Sequence, residues 1–227
     1  MTVSILQSNY IPWKGYFDII AMSDIFVIYD DVQYTRRDWR NRNLIKTSAG
    51  VKWLTIPVIQ DDYHQKICDT KILGGNWKKK HMGTLQMNYA KTPCFKDFRE
   101  AIFQVYDTPT DNLSEINKKF IEVICEILDI NTEIVDSRTL NLKGDRQERL
   151  IQACKSLNAD TYLSGPSAKS YIQPDFFIEN SLNLEWMDYS NYKEYNQLYP
   201  PFEHGVSVLD LIFNEGTHAK HYLKSFN

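Results

Sequence analysis

Two acids and four arginines crowd the stretch that follows one apolar run. Ile25 to Tyr29 ends in Asp30 and Asp31, and Arg36, Arg37, Arg40 and Arg42 follow by position 42. Carboxylates placed this way can take a proton from a nucleophile, and guanidiniums can grip phosphate or carboxylate oxygens two at a time. Ligands of open α/β sheets bind beyond the carboxyl ends of the strands, so polar residues just past an apolar strand are candidates for chemistry. The plain alternative is a solvated turn whose acids and arginines pair with one another. A second polar loop, with Gln7, Asn9, Tyr10, Trp13 and Lys14, follows a short apolar run at Val3 to Gln7. With Asp30, Asp31, Gln33, Arg36, Arg37, Asn41, Arg42 and Asn43 it offers aromatic faces and hydrogen-bonding tips suited to a planar or sugar-like ligand. Tyr10 and Trp13 are by type equally ordinary core residues.

Further candidates lie later in the chain. Trp77-Lys78-Lys79-Lys80-His81 puts three lysines and a histidine where a helix begins, opposing its dipole. A bound anion would relieve that, and His81 can serve as a general base or a phosphate contact; a solvated basic face is the alternative. Ser164-Gly165-Pro166-Ser167-Ala168-Lys169 breaks from a strand into a loop able to expose backbone N–H groups to an anion, with Ser164, Gly165 and Lys169 its candidates. It is not a P-loop, and without a G-x-S-x-G elbow an acyl-serine route is disfavoured. Asp61, Asp62 and His64 have metal-ligand chemistry but no supporting spacing, so no metal centre is expected.

These groups need a scaffold. Strand, loop, helix (Tyr16 to Met22), strand at the start makes a right-handed crossover unit, with both polar loops opening on one sheet edge. A hairpin follows: Leu44 to Lys46, a turn at Thr47 to Gly50, then Val51 to Val58, with its basic residues turned outward and a short strand at Thr70 to Leu73. Helices are expected from Asn76 to Tyr89, from Pro93 to Tyr106 and from Asn112 or Ser114 to Ile130. The α/β pattern then returns with strands at Glu133 to Asp136, Thr161 to Ser164 and Leu184 to Met187. A capping-box-like start at Asp145 and Glu148 opens a helix to Ser156, and a last helix runs from Ser207 to Gly216. The expected fold is α/β: a Rossmann-like, mostly parallel sheet with an added β-hairpin and a helical insert. No linker or repeat divides the chain, so it reads as one domain, with residues 1–75 and 131–227 the α/β core and 76–130 the insert.

A chain of 227 residues that is 43% hydrophobic can bury a substantial core. Net charge of −3 argues against indiscriminate attraction to nucleic acid or anionic lipid, so any anion site must be local. The start lacks a basic flank and apolar stretch, no run is long enough to cross a membrane, and a cytoplasmic protein is expected. Cys68, Cys94, Cys125 and Cys154 form no C-x-x-C pair and are expected to be buried thiols.

The stretches QSNYIPWKGYFDII, DIFVIYDDVQYTRRDWRNRNLIK, WLTIPV, KKKH…Y, YLSGPSAKSYI and FEHGVSVLDLIFNEG, in this order along nearly the whole chain, resemble the WbqC-like protein family. That resemblance implies a transferase of surface polysaccharide (O-antigen, lipopolysaccharide) biosynthesis, a glycine transferase acting on amino sugars in one proposal for the family. Its partners would be a nucleotide-linked amino sugar and an activated amino acid, carried on tRNA or as a carrier thioester, with ATP as the one cofactor in view. The order strand, P-W-K-G-Y, helix also has a distant likeness to the HIGH-type nucleotidyl-transferase superfamily, keeping the glycine of its loop but neither histidine, which gives adenylyl or nucleotidyl transfer as an alternative. The other alternative is non-catalytic: nucleic-acid binding through Tyr34, Trp39 and the neighbouring arginines, or a scaffold for a polysaccharide assembly complex. From residue chemistry, Asp30, Asp31 and His81 are the expected catalytic groups.

Overall fold

The computed structural model describes residues 1–227. In chain order its regular elements are β1 (Thr2–Leu6), α1 (Lys14–Ala21), β2 (Ile25–Ile28), β3 (Arg42–Thr47), β4 (Gly50–Thr55), α2 (Trp77–Tyr89), α3 (Phe95–Tyr106), α4 (Leu113–Ile127), β5 (Glu133–Asp136), α5 (Arg146–Ser156), β6 (Thr161–Ser164), α6 (Pro174–Glu179), β7 (Asn183–Trp186) and α7 (Val208–Glu215). Five strands form one parallel sheet in the order β5-β2-β1-β6-β7, and β3 with β4 form a separate antiparallel hairpin.

Side-chain alternation along the strands divides the protein into layers. Val3 and Ile5 of β1 pair in register with Ile25 and Val27 of β2 and face α5 and α6, where Leu150, Ile151 and Phe177 meet them. Phe26 and Ile28 face the other way, into a larger core shared by Phe17 and Ile20 of α1, Phe120 and Ile124 of α4, and Leu209 and Phe213 of α7. The helices α2 to α4 thus complete the core on one sheet face.

Local chemistry explains most boundaries. Asp145 accepts from the N–H groups of Gln147 (2.8 Å) and Glu148 (2.9 Å), and the Glu148 carboxylate accepts from Asp145 N–H (2.8 Å), a complete capping box for α5. Asn112 caps α4 and Ser207 caps α7. Three expectations are corrected. The second hairpin strand stops at Thr55: one more in-register bond runs from Ile56 N–H to Asn41 O (2.7 Å), and beyond it the chain leaves the hairpin, Pro57 O accepting from Leu73 N–H and Ile59 N–H donating to Lys71 O (both 2.8 Å). Thr70 to Leu73 is no strand: Ile72 N–H donates to Asp111 O and Leu73 N–H to Pro57 O, so the segment makes isolated bridges to two partners. Lys46 does not point outward; it is buried, and its ammonium donates to Pro201 O.

From β1 the chain builds outward through β2 and β5, then returns to lay down β6 and β7 on the other side. The order therefore reverses between β1 and β6, and a crevice opens beyond their carboxyl ends.

Candidate functional site

A cleft of about 650 Å³ occupies that crevice. The loop after β1 contributes Gln7, Asn9 and Trp13; the segment after β2 contributes Gln33, Thr35, Trp39 and Arg40. From α5 come Arg146 and Arg149, and from the turn after β6 come Ser164, Gly165, Pro166, Ser167 and Ala168. Tyr29, Tyr171 and Tyr189 add aromatic walls. No Asp, Glu or His lines the cleft, whereas three arginines do.

Each arginine is held differently. Arg40 donates to the Asn9 carboxamide oxygen and to Gln7 Oε1 (3.3 Å), and lies 3.6 Å from Asp38. Arg149 pairs with Asp31, its guanidinium 4.9 Å from the centre of the Tyr29 ring; its Nε–H is buried with no protein acceptor. Arg146 stacks 4.4 Å over Tyr171 and has no ion-pair partner. The guanidiniums that line the cleft are fork-shaped cationic donors of the kind that grips phosphate oxygens. The cleft can therefore hold a phosphate-bearing ligand, with aromatic faces for its planar or cyclic parts.

Trp13 reaches the cleft through an unusual backbone. Ile11 adopts φ +37°, a left-handed conformation that costs a β-branched residue on the order of 1–3 kcal/mol. The Asn43 amide fixes it, donating to Tyr10 O (3.1 Å) and Ile11 O (2.9 Å). The indole of Trp13 is then braced edge-on by Tyr189 at 5.2 Å and Tyr192 at 5.9 Å.

Of the residues expected from sequence, Gln7, Asn9, Trp13, Gln33, Ser164 and Gly165 come together here. Others do not. Asp30 is 1% exposed and ties elements together, accepting from Ser8 N–H (2.8 Å) and the Ser114 hydroxyl. Burial raises its pKa above the usual carboxylate value, against those hydrogen bonds, which lower it. Asp31 stands behind Arg149 and accepts from Ser137 as well. His81 is 6% exposed: Nε2–H donates to Thr55 O (3.1 Å) and Nδ1 accepts from the Tyr10 hydroxyl (2.9 Å), itself bonded to Tyr106. Burial pulls its pKa down to about 4, so the ring is neutral near pH 7 and walled off from ligand. Tyr10 is wholly buried in the same network.

The remaining expected contacts also lie elsewhere. Lys14 is buried, its ammonium donating to Lys193 O (3.1 Å) and lying 5.0 Å from the centre of Tyr192; burial lowers its pKa to about 8. Arg36 and Arg37 are exposed, Arg36 bonded to Gln60. Arg42 donates to Arg37 O and stacks 4.1 Å over Trp53. Asn41 is buried and donates to Ile56 O (2.8 Å), and Lys169 lies 5.5 Å from the Trp186 ring centre. Asn43 lines a smaller cavity of about 310 Å³ that shares Asn9, Trp13 and Trp39 with the cleft. Sequence reasoning missed Arg146 and Arg149 as cleft-lining residues. Their spacing of three on a helix that starts at a sheet edge was the available signal.

No three His, Cys, Asp or Glu side chains converge in a metal-holding group, and no helix is long and apolar enough to cross a membrane. The WbqC-like protein family model matches residues 7–222. A protein of Mycobacterium tuberculosis (strain ATCC 25618 / H37Rv), described as uncharacterized protein Rv1507c, is 46% identical over 224 residues, covering 98% of this chain and 97% of its own. No solved structure matches.

Proposed function

The chain belongs to the WbqC-like protein family, and from that premise we propose a transferase that moves glycine or another acyl group onto the amine of a nucleotide-linked amino sugar, in the surface-polysaccharide setting the resemblance implies. The observation that carries this reading is the convergence of Arg40, Arg146 and Arg149 on a switch-point cleft whose lining holds no acid. Guanidiniums at that position suit a diphosphate, and the aromatic walls suit the base and the ring.

In this reading the amine nitrogen attacks the acyl carbonyl carbon, an amide forms, and the donor's leaving group departs with the bonding electron pair. The nitrogen then sheds its proton to the leaving group or to water, since neither imidazole nor carboxylate lines the cleft. Alignment and charge stabilisation carry the rate: an activated acyl group needs a neutral amine held in line rather than a strong base. The Ser164 hydroxyl and the backbone of the turn after it, which line the cleft, would hold the oxyanion. Asp30 and His81 serve the fold instead.

A specific feature favours one donor among those considered. Trp53 is about 40% exposed, with Arg42 stacked 4.1 Å over it, and it lies 5.3 Å from Trp39 of the cleft wall. Aromatic faces with arginine suit the unpaired end of a charged tRNA. Adenylyl transfer through Lys14 has no such support, because its ammonium is enclosed.

The test is mass spectrometry of purified protein with a panel of amino-sugar nucleotides, glycine and ATP, with and without glycyl-tRNA. A product heavier by one glycyl residue is expected. Its absence from the whole panel, with no nucleotide sugar bound, would overturn the reading.

A further inference from the structure

Beside the basic cleft lies the second, smaller cavity, of about 310 Å³, bounded by Asn9, Trp13, Trp39, Asn43 and Gly205. Three of these five also line the cleft, so the two spaces adjoin at Asn9 and the two indoles. Their chemistry differs. The large cleft carries all three arginines, while the small one has no charged residue and is walled by two tryptophans.

We infer that the small cavity is the ring subsite: it takes the pyranose of a substrate whose diphosphate lies on the arginines next door. This rests on the reading of the cleft as a nucleotide-sugar site. A pyranose has an apolar C–H face that packs on an indole and a polar edge that needs hydrogen bonds, and the cavity offers both. Its volume would hold on the order of ten waters, enough for one ring. Asn9 gives its carboxamide oxygen to Arg40, which leaves its Nδ2 as the donor between the two spaces. The Asn43 amide is already engaged by two backbone carbonyls, so it forms a fixed floor. The far wall is fixed too, since Ser207 N–H donates to Leu44 O and Val208 N–H to Pro12 O (both 2.8 Å), tying the end of the Gly205 loop to β3 and to the Trp13 loop.

Two variants test this from opposite walls. Trp39→Ala removes one indole; its backbone carbonyl, the acceptor for Tyr10 N–H, stays. Gly205→Leu fills the cavity from a residue that does not line the cleft, where a β-carbon would meet only the tip of Glu203, at 3.2 Å. Calorimetry would compare uridine, guanosine and thymidine diphosphates with the amino-sugar conjugate of each. Wild type is expected to bind the conjugate of its preferred nucleotide about tenfold more tightly than the bare diphosphate. Both variants should lose that gain, and Gly205→Leu, which lies outside the cleft lining, should keep bare-diphosphate affinity within about twofold. The inference is overturned if the sugar adds nothing in wild type, if the gain survives in either variant, or if bare-diphosphate binding falls along with it in Gly205→Leu. Failure of wild type to bind any of the diphosphates would instead overturn the reading of the cleft itself.

Discussion

The indole of Trp13 lies directly over Gly15, so close that a β-carbon at Gly15 would stand 2.3 Å from the ring. Gly15 sits in the first turn of α1, where alanine would ordinarily favour the helix. Here the close approach outweighs that preference. Gly15→Ala should cost on the order of 1–3 kcal/mol in urea unfolding and push the indole out of the cleft wall. Tryptophan fluorescence and nucleotide-sugar affinity should change together; a stabilised variant with unchanged binding would contradict the packing.

Asp30 gives a contrast between position and charge. Asp30→Ala strips the acceptor from Ser8 N–H and Ser114 and should lower stability by roughly 2–3 kcal/mol. Asp30→Asn keeps an acceptor for Ser8, and the Ser114 hydroxyl can rotate to accept instead. It should stay folded and active, with a melting temperature near wild type. Loss of turnover in a stable Asp30→Asn protein would restore this carboxylate to the chemistry.

His81 predicts a pH dependence. Its folded pKa, pulled down to about 4 by burial, lies below the unfolded value of 6.5, so between the two the unfolded chain binds the proton and the folded chain does not. The stability is therefore full above pH 6.5 and is lost as pH falls toward 4, by up to about 3 kcal/mol. The ring faces Tyr10, Trp77, Tyr106 and the Thr55 carbonyl, none charged near neutrality. Urea titrations of wild type and His81→Gln at pH 7 and pH 4.5 should show wild type losing the extra stability and the variant not; parallel losses would contradict the assignment.

Arg36 and Arg37 were natural phosphate ligands to read from sequence, yet they stand exposed outside the cleft lining. The double alanine variant should bind the diphosphates as wild type does and change stability by no more than about 0.5 kcal/mol. A loss of affinity beyond tenfold would return them to the site.

The parallel sheet and hairpin were legible because short apolar strands, a capping box and turn residues leave local marks. Sequence also brought the loop after β1 to the right edge, through Gln7, Asn9 and Trp13. It failed within the arginine-rich run, where four arginines look alike in one dimension. Only Arg40 turns inward, and what selects it is Gln7 and Asn9, more than thirty residues away. Asp30 misled for a related reason: a carboxylate after a strand looks the same whether it meets ligand or ties β2 to the loop at Ser8 and the start of α4. Arg149 depended on Asp31, 118 residues distant, a contact that no local pattern encodes.

The proposed phosphate grip lies with the arginines of the switch-point cleft, and Arg149→Lys tests them most directly. Lysine keeps a positive charge opposite Asp31 but lacks the planar fork that grips a phosphate. Calorimetric titration of the preferred nucleotide sugar should show wild-type binding, weakened tenfold or more in Arg149→Lys while the melting temperature holds. Equal affinity in the two proteins would place the phosphates elsewhere and contradict the account.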